Sequence, residues 1–121
     1  MQKILVIDDS KELLEMLGFV LNINGYQVQT ATTRSKALTE INNFRPDVIL
    51  MDVRLNYDDG RELCKEIKSL PLQSVPIIFL LSASPELLHN YEDYSADGTI
   101  EKPFDIDTIS EKINRFQLVQ K

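Results

Sequence analysis

Five apolar runs, most of them rich in Val, Ile and Leu, alternate along the chain with segments in which apolar residues recur every three or four positions. Continuous apolar runs are typical of strands buried on both faces, and the second spacing is typical of amphipathic helices. The second run alternates Val and Thr with Gln, which indicates a partly exposed strand. Strands are predicted at 3–8, 26–31, 47–52, 75–81 and 98–101, and helices at about 10–24, 33–43, 63–70, 86–93 and 106–116.

The alternation of strand and helix predicts an α/β fold with one parallel sheet and helices on both of its faces. Right-handed crossovers limit the order of the strands to a few arrangements. With 121 residues, of which 43% are hydrophobic, the chain is expected to form one domain over 1–121 around its own core. Its last four or five residues are expected to fray.

The composition argues against several classes of protein. The formal net charge is −6 and no basic face is visible, so direct binding to nucleic acid is not expected. The single cysteine, Cys64, rules out an intramolecular disulfide framework and fits a reducing compartment. The first apolar run is too short for a signal peptide, and no run is long enough for a membrane span. We therefore expect a cytoplasmic protein without a membrane partner.

Polar side chains stand where four of the predicted strands end. The first strand ends at Asp8 and Asp9, the third at Asp52, the fourth at Ser82 and the fifth at Lys102. The carboxyl ends of parallel strands lie on the edge of the sheet where ligands bind, so these side chains are expected to converge. Three neighbouring carboxylates repel one another, and a hard divalent cation with oxygen ligands, above all Mg²⁺, would relieve that repulsion.

Such a site suits the transfer of a phosphoryl group to a carboxylate. Asp52 is predicted to be the nucleophile that attacks phosphorus, since aspartyl phosphates are known covalent intermediates. The cation and Lys102 would neutralise the phosphate oxygens, and the Ser82 hydroxyl would hydrogen-bond to one of them. Each of these residues alone has an ordinary structural explanation, so the prediction depends on their combination.

This combination resembles the response-regulator receiver domain of two-component signalling, and the likeness covers essentially the whole chain. It implies a flavodoxin-like (βα)5 fold, a three-layer sandwich whose five-stranded parallel sheet has the order 2-1-3-4-5. The matching motifs are the acidic pair Asp8-Asp9, the phosphoacceptor Asp52 after Val48-Ile49-Leu50-Met51, the loop glycine Gly60, the pair Ser82-Ala83, and the triplet Lys102-Pro103-Phe104.

The resemblance implies a metal site in particular. Mg²⁺, with Mn²⁺ as a substitute, would be held by Asp9, Asp52 and the backbone carbonyl of Arg54. Asp8 would act largely through water.

It also implies roles around the phosphoacceptor. Ser82 and Lys102 would assist the transfer, and Val53 and Ala83 would belong to the cofactor-binding residues. The peptide bond between Lys102 and Pro103 would be cis.

By the same resemblance the chain is a signalling switch and not a turnover enzyme. It would accept its phosphoryl group from a sensor histidine kinase or a histidine phosphotransfer protein. It would assist its own phosphotransfer and autodephosphorylation, and would act on a downstream protein that the sequence does not name. A monomer or a weak dimer that depends on phosphorylation is expected.

Three features depart from the usual pattern of this family. Position 56 is Asn where the family usually has Pro. The segment between Ser82 and Lys102 is about two residues short, which should shorten the fourth helix. Thr99 stands three residues before Lys102, where many members carry the Tyr or Phe that swings inward on phosphorylation. The last departure concerns the readout of the signal and not the chemistry.

Other functions fit the residues less well. A Mg²⁺-dependent phosphohydrolase with an Asp nucleophile would need a second acid two residues later, where this chain has Arg54. A flavin-binding domain would have to hold a phosphate beside Asp8 and Asp9, which would repel it. Two alternatives remain open: a receiver fold used as an interaction module without phosphorylation, and a receiver cut from a longer regulator or hybrid kinase.

His89 is interpreted as a surface or packing residue.

Overall fold

The structure, a computed structural model, describes residues 2–120 of the chain and the side chains of residues 2–116. Of the last residues, for which fraying is expected, the backbone belongs to a helix as far as Gln120, and the side chains of 117–120 and all of residue 121 lie outside the described part. The strands are β1 Lys3–Ile7, β2 Gln27–Ala31, β3 Val48–Asp52, β4 Arg54–Leu55, β5 Asp58–Asp59, β6 Ile77–Ser82 and β7 Gly98–Glu101. The helices are α1 Lys11–Ile23, α2 Arg34–Phe44, α3 Gly60–Lys68, α4 Pro85–Leu88 and α5 Ile106–Gln120, with a 3₁₀ helix at Tyr91–Tyr94.

Five of the strands form one parallel sheet in the order β2-β1-β3-β6-β7. Numbered among themselves along the chain, these five strands have the order 2-1-3-4-5, so the predicted flavodoxin-like topology is confirmed. β3 lies at the centre, between β1 and β6, where Met51 pairs with Ile7 and Leu80. A central strand has no free edge, and this position explains why its sequence is an unbroken apolar run.

The sheet separates two hydrophobic cores. Ile49 and Met51 of β3 pack into the core on one face, which also contains residues of α2 and α3. Val48 and Leu50 pack into the core on the other face, with residues of α1 and α5. All four side chains are fully buried, so β3 is covered on both faces as predicted and its carboxyl end is rigidly placed.

Short polar side chains begin the helices. The Ser10 hydroxyl accepts a hydrogen bond from the backbone N–H of Leu13, and Asp105 accepts one from Thr108 in the same manner. Asp59 accepts from the N–H of Arg61 and caps α3. These caps satisfy backbone groups that a helix leaves unpaired at its start, and so fix where each helix begins.

Two segments differ from the sequence prediction. The stretch 53–60, interpreted as a plain loop, contains a short antiparallel hairpin in which β4 pairs with β5. The helix predicted over 86–93 is divided: α4 ends at Leu88, and a separate 3₁₀ turn follows. The shortening expected for the fourth helix is thus confirmed. Ser95, in the left-handed region at φ 65°, ends the 3₁₀ turn.

Cys64 is fully buried in the core, and burial raises the pKa of its thiol to about 12. It packs as a small apolar residue. Among the described residues, no helix combines the length and the apolar character that crossing a membrane requires.

Candidate functional site

The side chains at the strand ends converge on one edge of the sheet. Asp52 is the last residue of β3, Asp8 follows β1, and Ser82 ends β6. Lys102 follows β7, and its backbone N–H donates to the carbonyl of Ser82 at 2.9 Å, which continues the pairing of β7 with β6. The sheet topology therefore brings together residues that are up to 94 positions apart in sequence.

Lys102 connects two buried carboxylates at the centre of this edge. Its ammonium nitrogen Nζ lies 2.9 Å from Oδ2 of Asp8 and 3.4 Å from Oδ1 of Asp52. The two aspartates are only 1% and 8% exposed. An ammonium group placed between two poorly hydrated carboxylates compensates part of their charge, which is the arrangement that a buried acid requires.

Burial raises the pKa of Asp52, the charge of Lys102 opposes that rise, and the neighbouring charge of Asp8 adds to it. A hydrogen bond from the Arg54 backbone also favours the ionised form of Asp52. For Lys102, burial acts to lower the pKa, but the hydrogen bond to Asp8 and the charge of Asp52 outweigh it and raise the pKa. Lys102 is therefore charged at neutral pH, and a further positive charge near Asp52 would oppose the rise in its pKa.

Asp8, Asp9 and Asp52 form a cluster that could hold a cation. Each offers a carboxylate oxygen, and the three oxygens lie within 4.8 Å of one another. Lys102 supplies one positive charge against these three negative ones. Hard oxygen donors with an excess of negative charge are the ligands that Mg²⁺ prefers, so the residues present fit the predicted ion.

The three acids are held in different ways. Asp8 accepts a hydrogen bond from the backbone N–H of Ser10 at 2.9 Å in addition to the one from Lys102. Asp9 is exposed, and its Oδ2 accepts a bond of 3.3 Å from the backbone N–H of Asn56. Asn56 stands where the family usually has Pro, and its contact with Asp9 could not be predicted from the residue type.

Ser82 is 5% exposed, and its hydroxyl oxygen accepts a hydrogen bond from the backbone N–H of Ser84 at 3.0 Å. This bond orients the oxygen and leaves the hydroxyl proton free to be donated. Ala83 is exposed directly beside it.

The backbone N–H after Asp52 is engaged in the sheet. The N–H of Val53 donates to the carbonyl of Leu81 at 3.0 Å and so prolongs the pairing of β3 with β6. The N–H of Val53 is thus occupied in this conformation, whereas the Arg54 backbone acts to lower the pKa of the Asp52 carboxyl. The assignment of Val53 and Ala83 to the cofactor-binding residues stays a prediction.

Gly60 allows the hairpin to pack against the carboxyl end of β3. Its N–H donates to the carbonyl of Val53 at 2.6 Å, and a Cβ atom at position 60 would lie only 2.0 Å from the backbone oxygen of Asp52. Only glycine can occupy this position without moving the backbone that carries Asp52. The remaining residues singled out by the sequence behave as expected: His89 is exposed, and the Lys102–Pro103 peptide is cis.

Comparisons with known proteins agree with this geometry. The profile of the response regulator receiver domain family matches residues 4–114. The chain is 30% identical over 115 residues to sporulation initiation phosphotransferase F of Bacillus subtilis, and the match covers 95% of this chain and 93% of that protein. A chemotaxis response regulator of Vibrio cholerae has a similar structure, with a TM-score of 0.85, 31% identity, and coverage of 95% of this chain and 98% of that one.

Other relatives are longer. The alkaline phosphatase synthesis transcriptional regulatory protein of Bacillus subtilis is 35% identical over 104 residues. That match covers 85% of this chain but only 43% of the regulator, so the chain corresponds to less than half of that protein.

Proposed function

Since the chain belongs to the response regulator receiver domain family, whose members receive phosphoryl groups from histidine kinases or phosphotransfer proteins, we propose that Asp52 is its phosphoacceptor. The observation that carries the proposal is the carboxylate of Asp52 at the carboxyl end of the central strand, within 3.4 Å of the ammonium group of Lys102. Domains of this family are signalling domains and not, in general, turnover enzymes. We also propose that the whole chain, residues 1–121, forms one receiver domain.

In the proposed reaction a carboxylate oxygen of Asp52 attacks the phosphorus atom of a phosphohistidine. The new O–P bond forms as the P–N bond breaks, and the imidazole nitrogen keeps the electron pair of that bond. The Nζ of Lys102 already lies beside Asp52. Only a small movement would therefore bring it into contact with a phosphoryl oxygen on that residue. The Ser82 hydroxyl can donate its proton to a second oxygen.

The proposed metal ligands are Asp9, Asp52 and the backbone carbonyl of Arg54, with Asp8 acting through water, and with Mg²⁺ or Mn²⁺ as the ion. When bound, the ion would supply positive charge to the phosphoryl oxygens as negative charge develops on them. Support for this ligand set comes from the three clustered carboxylates, which a single lysine does not neutralise.

The proposed partners are a sensor histidine kinase or a histidine phosphotransfer protein before the transfer, and an unidentified protein after it. A monomer or a weak dimer formed on phosphorylation is the proposed assembly. The single, buried Cys64 supports the proposal of a cytoplasmic location.

Incubation with acetyl phosphate and Mg²⁺ tests the phosphoacceptor. An intact-mass measurement is expected to detect a single phosphoryl adduct that hydroxylamine removes. Asp52→Asn should abolish the adduct, because the amide has no nucleophilic oxygen anion. The matched control is Asp58→Asn, which alters an exposed acid in the neighbouring hairpin and should keep the adduct. An adduct that persists in Asp52→Asn, or that disappears in Asp58→Asn, would place the acceptor elsewhere.

The switch is expected to respond locally. Thr99 lies in β7 opposite Leu80 and is half-buried, and its small β-branched side chain exchanges little apolar area between rotamers. We expect beryllofluoride with Mg²⁺ to shift the amide resonances of 52–54 and 82–88 strongly, with changes that fade by Ile109. Asp52→Asn under the same conditions is the control. Shifts along 106–116 as large as those near Ser82 would instead mean that the signal reaches α5 by another route.

A further inference from the structure

The turn of the β4–β5 hairpin brings a backbone donor to the exposed acid of the site. Asn56 has a φ of 51°, in the left-handed region that Asn tolerates better than most residues. Its N–H lies 3.3 Å from Oδ2 of Asp9, a residue 47 positions earlier in the chain. Proline, the residue that the family usually has here, has no N–H and a φ fixed near −65°. The contact is therefore a consequence of this chain's departure from the family pattern.

We propose that the backbone N–H of Asn56 positions Asp9 as a metal ligand, an inference that rests on the proposed function of the site. The N–H holds one carboxylate oxygen and thereby presents the other oxygen to the divalent cation. Donors that hydrogen-bond to a ligating carboxylate fix its orientation, and their loss typically lowers metal affinity about 10- to 100-fold.

The direction of this N–H is set by the packing of the hairpin. Leu55, directly before Asn56, is 2% exposed and anchors one strand of the hairpin in the core. Leu55 pairs with Asp58, so Asn56 and Tyr57 form a two-residue turn. The bond from the N–H of Gly60 to Val53 closes the base of the same hairpin. The amide of residue 56 is consequently held toward Asp9 without any contribution from the Asn side chain.

Asp9 depends on this donor more than the other two acids depend on any one partner. Asp8 is fully buried and bonded by both Ser10 and Lys102. Asp52 is buried and lies beside Lys102. Asp9 is exposed, so packing restricts its side chain less than theirs, and the bond from Asn56 compensates for that difference.

Mg²⁺ titrations followed by amide NMR test the inference with three variants. Asn56→Pro, which removes the N–H, should weaken Mg²⁺ binding about tenfold or more. Asn56→Gly keeps both the N–H and access to positive φ, and should bind Mg²⁺ as the parent does. Asn56→Ala keeps the N–H but strains the turn, so it should lower the melting temperature without Mg²⁺ and leave the Mg²⁺ affinity within about twofold of the parent.

A second measurement does not depend on whether the proline variant folds. In the metal-free protein, Asp9→Ala should accelerate hydrogen exchange of the Asn56 amide and leave that of the Gly60 amide unchanged, because only the first donates to Asp9. The inference is overturned if Asn56→Pro binds Mg²⁺ as tightly as the parent, if Asn56→Gly loses as much affinity as Asn56→Pro, or if Asp9→Ala leaves exchange at Asn56 unaltered. A parent protein that neither binds Mg²⁺ nor accepts a phosphoryl group would overturn the proposed function itself. The titration of the parent therefore separates a failure of the proposed function from a failure of this inference.

Discussion

Gly60→Ala is expected to lower the melting temperature by about 10 °C or more and to impair phosphorylation of Asp52. The added Cβ would lie 2.0 Å from the Asp52 carbonyl oxygen, 3.0 Å from its carbonyl carbon and 3.1 Å from the Cα of Val53. All three are backbone atoms, two of them in the last residue of the central strand and one in the residue after it, and they cannot rotate away as a side chain could. Overpacking typically costs about 1–3 kcal/mol, and an overlap with backbone atoms belongs at the upper end of that range. Each kcal/mol corresponds to roughly 4 °C in a domain of this size.

The effect on function follows from the same contact. To relieve the clash, either α3 or the end of β3 must move, and the end of β3 carries the Asp52 carboxylate. The matched control is Gly18→Ala in α1, where an added Cβ has no atom within 4 Å. Alanine is a better helix former than glycine by about 1 kcal/mol, so that variant should melt slightly higher. Thermal unfolding and acetyl phosphate labelling of both variants measure the difference. Equal melting temperatures for Gly60→Ala and Gly18→Ala would contradict the prediction, because they would mean that the hairpin moves away from β3 without loss of stability.

Mg²⁺ is expected to raise the melting temperature, and Asp9→Asn to remove most of that increase. An ion that binds only the folded state at ten times its Kd stabilises it by about 1.4 kcal/mol, which is roughly 5 °C. Without the ion, Asp9→Asn should melt at the same temperature as the parent or higher, because it removes one of three mutually repelling charges. The amide oxygen of Asn can still accept the bond from Asn56, so the substitution alters the charge and preserves this contact.

Glu15→Gln is the matched control for the metal experiment. It removes one negative charge from the exposed face of α1, outside the carboxylate cluster. Its response to Mg²⁺ should equal that of the parent, since an exposed charge at a distance is largely screened by salt. Differential scanning fluorimetry over a range of Mg²⁺ concentrations measures all three proteins. If Mg²⁺ at several millimolar leaves the parent unchanged, or stabilises Asp9→Asn equally, the cluster does not bind the ion.

The apolar runs and the polar residues at their ends were sufficient to predict most of the fold and of the proposed site. A run such as 48–51 has no polar position at all, and only a central strand covered on both faces accommodates it. A parallel sheet then places all carboxyl ends on one edge, so the convergence of Asp8, Asp52, Ser82 and Lys102 followed from topology. The shortening of the fourth helix could be predicted too, because it depends on the number of residues between Ser82 and Lys102.

The tertiary structure alone decided the details of the segment 53–60. Turn formers predict a loop there, and the pairing of two residues with two others is too short to leave a periodic pattern. Gly60 was recognised only by its likeness to the family. Its physical role is to let the backbone at position 60 pass close to the backbone of Asp52, and no sequence pattern indicates that contact.

The partners of the backbone N–H groups depended on tertiary structure for a similar reason. Val53 hydrogen-bonds to Leu81, and Asn56 to Asp9, across 28 and 47 positions of the chain. Every non-proline residue carries the same donor, so the residue type does not indicate which acceptor the donor meets. The sequence by itself thus determined the fold, the sheet edge and the acidic cluster, because these follow from the hydrophobic pattern and from charge. Which backbone groups orient that cluster was decided by how the hairpin packs against the end of the central strand.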